Sequence, residues 1–169
     1  SRGLGDVYKR QAPALQVMAE TLGQDAAHVT APNGGPLSED PAFVHKLADI
    51  KVRAKILEVL EYRALAAMSS GKDPGSIASM LKILGTELSQ EITTLALEAA
   101  GPHGRVFQPH ATRPGGPIFQ YTAPTDGYVS GEAWQAVAPL HYFNDRAGSI
   151  YAGSNEIQRN ILAKAALGL

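Results

Sequence analysis

The sequence predicts an all-α fold: an up-and-down four-helix bundle with a long Pro/Gly-rich loop before its last helices. Three observations predict it. Apolar residues recur at alternating steps of three and four over two long segments, and a tight turn joins those segments. No stretch of any length alternates apolar with polar residues as a half-buried strand does. The 169 residues suit one domain of about 100–200 residues. Hydrophobic residues make up 44%, enough to close a core, and charged residues only 18%, too few for a disordered charged segment.

Residues 1–11, SRGLGDVYKRQ, share no periodicity with the rest of the chain and resemble translated sequencing-adaptor sequence. They are set aside as adaptor-derived, which leaves 12–169 as the folding unit and an expectation that the chain is truncated at its N-terminus. Leu15, Met18 and Leu22 predict a short helix over about 14–22, ended by Gly23. A polar turn-rich loop comes next, with Pro32, Asn33, Gly34, Gly35 and Pro36.

Asp40-Pro41 opens the first long helix. The aspartate can accept from exposed N–H groups, and a proline loses nothing at the first helical position. Its stripe is Phe43, Leu47, Ile50, Ala54, Leu57, Ala64 and Met68. Val44, Val52, Ile56, Val59, Leu60 and Leu65 widen it, so more than one neighbour is expected to cover this helix. It runs to about Ser70, and Gly71 with Asp73-Pro74 turns the chain. The second long helix covers about 75–100 with the stripe Ile77, Leu81, Leu84, Leu88, Ile92, Leu95 and Ala99, ended by Gly101-Pro102. The short connection predicts an antiparallel pair.

Residues 102–130 carry five prolines, Pro102, Pro109, Pro114, Pro117 and Pro124, and no helical stripe, a loop long enough to be functional or interface-forming. Pro139 reads as the first residue of a third helix, about 139–147. Gly153 breaks the chain, Ser154 caps a last helix over about 155–167, and Ile157, Ile161, Leu162 and Ala165 are its expected buried stripe.

Composition excludes several chemistries. With no cysteine there are no disulfides, thiolate metal sites or thiol nucleophiles. The net charge of −1 and the lack of a basic run speak against a nucleic-acid partner, so Trp134, Tyr142 and Phe143 read as packing residues rather than a base-stacking set. No apolar run reaches the ~18–20 residues of a membrane helix, and no secretory leader pattern occurs in 1–25; the expected setting is the cytoplasm. No Glu has a His three residues on, and His28, His45, His103, His110 and His141 lack zinc-ligand spacing, so no metal is expected. Glu58 and Glu61 read as an exposed pair. The nucleophile elbow and the phosphate loop are absent.

One segment stands out, RAGSIYAGSNEIQRNILAKAALGL over 146–169. A glycine just before a helix lets a ligand approach the backbone, and fresh N–H groups at a helix start favour an anionic or polarised partner. The run Ile150-Tyr151-Ala152-Gly153-Ser154-Asn155-Glu156-Ile157-Gln158-Arg159-Asn160-Ile161 closely resembles the C-terminal signature of the acyl-CoA dehydrogenase family, flavoenzymes that oxidise acyl-CoA thioesters to enoyl-CoA. Lys46-Leu47-Ala48-Asp49, Tyr62-Arg63-Ala64-Leu65, Ser79-Met80-Leu81-Lys82, Leu95-Ala96-Leu97-Glu98, Tyr142-Phe143-Asn144-Asp145-Arg146 and the ending Leu167-Gly168-Leu169 fit as well, so the likeness covers about 13–169.

The resemblance implies the family's C-terminal helical-bundle domain, with FAD as cofactor and acyl-CoA as substrate, in a homodimer, a homotetramer or a hetero-oligomer with a base-carrying subunit. It implies that Gly153 faces the substrate thioester and that Ser154, Asn155 and Glu156 contact flavin. Gly101, within Glu98 to Pro102, matches a loop that meets flavin across a subunit interface; Pro102 stands where the family often has a second glycine. Many members place the catalytic Glu immediately before the glycine of the turn. Here that residue is Ala152, which cannot accept a proton, and neither Glu20 nor Glu61 matches a family base position, so no catalytic residue is assigned.

Overall fold

The computed structural model describes residues 11–72, 75–108 and 130–168. Five α-helices occur there: α1 (Gln11–Ala26), α2 (Pro41–Ser69), α3 (Ile77–Ala100), α4 (Ala133–Arg146) and α5 (Asn155–Leu167), with no strand among the described residues. The fold is all-α, as the periodicity predicted. Most of the predicted 102–130 loop, residues 109–129, and the Asp73-Pro74 turn lie outside the described residues.

Three of the helix starts have a local cause. Asp40 accepts from the amides of Ala42 (3.0 Å) and Phe43 (3.1 Å), with Pro41 beside it at the start of α2. Ser154 accepts from Ile157 at 3.5 Å to open α5, and Gly168 closes it in the left-handed conformation. At α4 the Glu132 amide donates to Gln135 Oε1 at 2.7 Å.

Ion pairs fix the register of the long helices. Lys46 near the start of α2 meets Glu98 near the end of α3 at 2.6 Å, and Arg53 meets Glu91, so the two helices run antiparallel. α1 lies antiparallel to α2: its start meets Glu61 late in α2, and Gly23 near its end meets Leu47. α4 runs back along α3, joining Gln135 to the Ala100 carbonyl and Asp145 to Ser89. α3 is the central helix, in contact with all four others. Leu81, Leu88 and Ile92 on it and Leu57 on α2 are the largest fully enclosed side chains, each contributing about 1.5–3 kcal/mol by leaving water.

The structure corrects five expectations. Gly23 does not end α1. The helix continues through it to Ala26, and a Cβ at Gly23 would sit only 3.1 Å from Leu47 Cδ2, so the glycine permits close helix approach rather than termination. Pro139 lies inside α4, which begins six residues earlier, and costs it one backbone hydrogen bond. Glu61 is not exposed; it is 4% accessible and accepts the Ala12 amide at 2.9 Å. The outer face of α2 is uncovered, with Val44, Val52, Ile56 and Val59 open to solvent. So is the expected buried stripe of α5: Ile157 and Ile161 are about half exposed and Ala165 is exposed, leaving Asn155 as its buried residue.

Candidate functional site: an exposed left-handed turn held against α3

Between α4 and α5 the chain makes a short 3-10 turn at Ala147–Ser149 and then reverses. The amides of Ile150 and Tyr151 both return to the Ala147 carbonyl, at 2.9 and 3.2 Å. Ala152 (φ 54) and Gly153 (φ 86) come next in the left-handed region, which costs a non-glycine residue about 1–2 kcal/mol. Tyr151, Ala152 and Gly153 are exposed. Among the described residues, the amides of Ala152, Gly153, Ser154 and Asn155 donate to no protein acceptor. Of these donors Ala152, Gly153 and Ser154 lie on the accessible part of the turn and form a ready site for a polarised oxygen, while Asn155 is buried behind them.

The predicted residues play different parts here. Gly153 is open to solvent, with the Gln158 amide folded back towards it and donating to the Ala152 carbonyl at 3.5 Å. The Ser154 hydroxyl is engaged as the helix cap. Glu156 is exposed, and hydrogen bonds from Ser154 and from its own amide, with nearby Arg159 and Lys82, hold its carboxyl below the usual range. That fixed negative charge makes the start of α5 unsuited to a bare anion; a neutral carbonyl or a flavin ring edge fits better.

Asn155 is turned inward and 3% exposed. Its Oδ1 accepts from Lys82 Nζ at 2.6 Å and its Nδ2 donates to Thr86 Oγ1 at 3.2 Å. Lys82 also donates to the Ser149 carbonyl at 3.1 Å, and burial pushes its ammonium below the usual lysine range. Arg159 pairs with Glu87 one turn further along α3. At the end of α4, Arg146 lies 4.3 Å over the Tyr142 ring and donates to the Gln90 carbonyl (2.8 Å) and Thr93 Oγ1 (3.2 Å). Sequence reasoning does not single out these partners, although Lys82, Thr86, Ser89 and Thr93 recur at steps of four, three and four along one face of α3.

Gly101 is not brought to the turn. It closes α3 with φ 56, fifteen residues beyond Thr86, or about 22 Å along the axis. There it lines an open cavity of about 610 Å³ with His28, Glu98, His103, Glu132 and Gln135. The two predicted ligand positions therefore sit at separate places on one chain. Glu20 is exposed on α1, lining a groove beside Lys51 rather than the turn. Glu61 is committed to the start of α1, where burial raises its pKa against the pull of the Ala12 and Gln11 amides. No group of three or more metal-ligating side chains occurs among the described residues, and no described helix is long and apolar enough to cross a membrane.

Fold and site together define a helical domain that presents a donor-lined turn at the head of its last helix. The chain belongs to the acyl-CoA dehydrogenase C-terminal domain family, which it matches over residues 11–167. It is 27% identical over 130 residues to the short-chain specific acyl-CoA dehydrogenase, mitochondrial, of Bos taurus, a match covering 77% of this chain and 25% of that protein. The chain thus spans a quarter of the length of this curated relative. The structure of PigA with FAD and proline superposes with a TM-score of 0.71 at 19% identity, covering 98% of this chain and 36% of that one. The ChsE4-ChsE5 complex from Mycobacterium tuberculosis does so at 0.65 and 22%, covering 90% and 35%. Both likenesses establish the fold.

Proposed function

We propose that this chain is the C-terminal helical domain of an FAD-dependent acyl-CoA dehydrogenase, which oxidises an acyl-CoA thioester to the 2,3-enoyl-CoA, and that the chain alone is inactive. One observation carries the reading: the free amides of Ala152, Gly153 and Ser154 on an exposed turn, in the stretch that matches the family signature. Gly153 would offer its backbone N–H to the thioester carbonyl, which acidifies the α-carbon by stabilising developing enolate charge. The backbone amide of Ser154 would hold the flavin edge, with Asn155 buried behind it. FAD, when bound, supplies the acceptor for the hydride leaving the β-carbon. That PigA binds FAD in the same fold supports the cofactor.

The α-proton needs a carboxylate that this turn lacks. The Ala152 methyl cannot accept it, and Glu61 is spent on α1. That lack supports a second reading: the chain completes the flavin site of a different partner chain that carries the base, within a hetero-oligomer. Gly101 lies ~22 Å along α3 from Thr86, which holds the turn, so one flavin ring could not touch both and the Gly101 loop would serve a partner's flavin. ChsE4-ChsE5, a complex of two chains, is a precedent for such pairing in this fold.

Titration of FAD with the purified chain, monitored by flavin fluorescence, tests the proposal. Wild type is expected to bind weakly and saturably without retaining stoichiometric yellow flavin through purification. Gly153→Val should lose the binding with its helical circular dichroism unchanged. No saturable signal in wild type, or equal binding by the variant, would overturn the role of the turn.

A further inference from the structure

We propose that Lys82 is a positioning residue: from α3 its single ammonium clamps both ends of the ligand-facing turn, Ser149 before it and Asn155 after it. The inference rests on the reading of the turn given above and extends it to a residue outside the signature. Ser149 and Asn155 are six residues apart, and the segment between them makes only local hydrogen bonds while holding Ala152 and Gly153 left-handed. Such strain persists where surrounding structure over-determines it. Lys82 supplies that constraint by donating to the Ser149 carbonyl at 3.1 Å and to Asn155 Oδ1 at 2.6 Å.

The Asn155 amide is spent on the same task, its nitrogen donating to Thr86 Oγ1, whose own hydroxyl is 2.9 Å from the Lys82 carbonyl. Asn155 therefore anchors the turn through its buried side chain, and the exposed Ala152 and Gly153 before it are left to face a ligand. A second tie, Arg159 to Glu87, lies one turn later. Partial burial strengthens these bonds, and an orphaned Asn155 Oδ1 or Ser149 carbonyl would have to rehydrate by opening the turn.

Hydrogen exchange on the 169-residue chain reads the clamp. In Lys82→Met the amides of Ile150, Tyr151, Ile157 and Gln158 should exchange about tenfold faster, while those of Leu88 and Ile92 keep their rates. Asn155→Ala should do the same, and the double variant should add little to either. Lys82→Arg, which keeps a cationic donor, should recover most of the protection. FAD titration gives a readout that mere stability would not move: Lys82→Met should weaken FAD by a similar factor and Lys82→Arg restore it. Unchanged turn exchange in Lys82→Met, or a loss spread evenly through α3, overturns the clamp. A turn that loosens with FAD affinity unchanged overturns the positioning role. A turn that loosens in a chain that binds no FAD even as wild type refutes the ligand reading and leaves the clamp standing.

Discussion

Removing the Glu61 carboxylate should unfasten α1 from the bundle. The side chain is 4% exposed, accepts the Ala12 amide at 2.9 Å and is drawn on by the Gln11 amide, so it caps α1 from forty-nine residues away. Glu61→Ala would leave these N–H groups without an acceptor among apolar side chains. Each buried orphan costs about 1–3 kcal/mol, so the substitution should cost about 3 kcal/mol and lower Tm by about 6–12 °C for a chain of this size. Glu61→Gln keeps an oxygen acceptor but cannot ionise, and should cost far less. The two also separate by pH. Burial raises the folded pKa of Glu61 above the ordinary 4.5, so its contribution is complete below that value and is lost as pH climbs through the folded pKa. The stability of wild type relative to Glu61→Gln should therefore fall from about pH 4 towards neutrality. Denaturant unfolding at several pH values, read by circular dichroism, measures it. A Glu61→Ala variant with unchanged Tm, or a wild-type advantage that grows with pH, would refute the reasoning.

Other substitutions probe the rest of the fold. Asp40→Ala should cost about 1 kcal/mol in the same unfolding assay, since it strips the acceptor from Ala42 and Phe43. Leu88→Ala should cost about 2–5 kcal/mol as an enclosed cavity opens, whereas Ile161→Ser should cost only about 1 kcal/mol because that side chain is already half exposed. Gly153→Ala should destabilise by about 1–2 kcal/mol at φ 86, seen as a Tm loss of a few degrees. Exposed Phe143, Ile150, Tyr151, Ile157 and Ile161 should drive concentration-dependent self-association in sedimentation velocity, relieved by serine at Ile157 and Ile161.

Much of this architecture is legible in residue order. Asp40-Pro41 and Ser154 mark their helix starts because capping is local chemistry, written within three residues. The stripe of α3 shows in the periodicity because a central helix must bury what it carries. What escapes the sequence depends on distant neighbours. Gly23 and Pro139 look like helix boundaries, but the first admits α2 at close range and the second is carried within α4 at the loss of one hydrogen bond. Amphipathic spacing says that the Ile157–Ile161 face favours contact, not that this chain provides the contact. Glu61 looks solvated until α1 lays two amides against it. The signature over 150–161 points to the turn, yet the residue that braces it, Lys82, lies sixty-seven positions before Ser149 and shows only as one polar position among several along α3.

The most direct measurement is an amide-resolved titration of the isotope-labelled chain with FAD. The account predicts chemical-shift changes centred on Ala152 to Glu156, with a weaker separate set around Gly101 and His103 and none on the outer face of α2. Changes scattered over the surface, or confined to sites away from Gly153 while the turn stays silent, would contradict it.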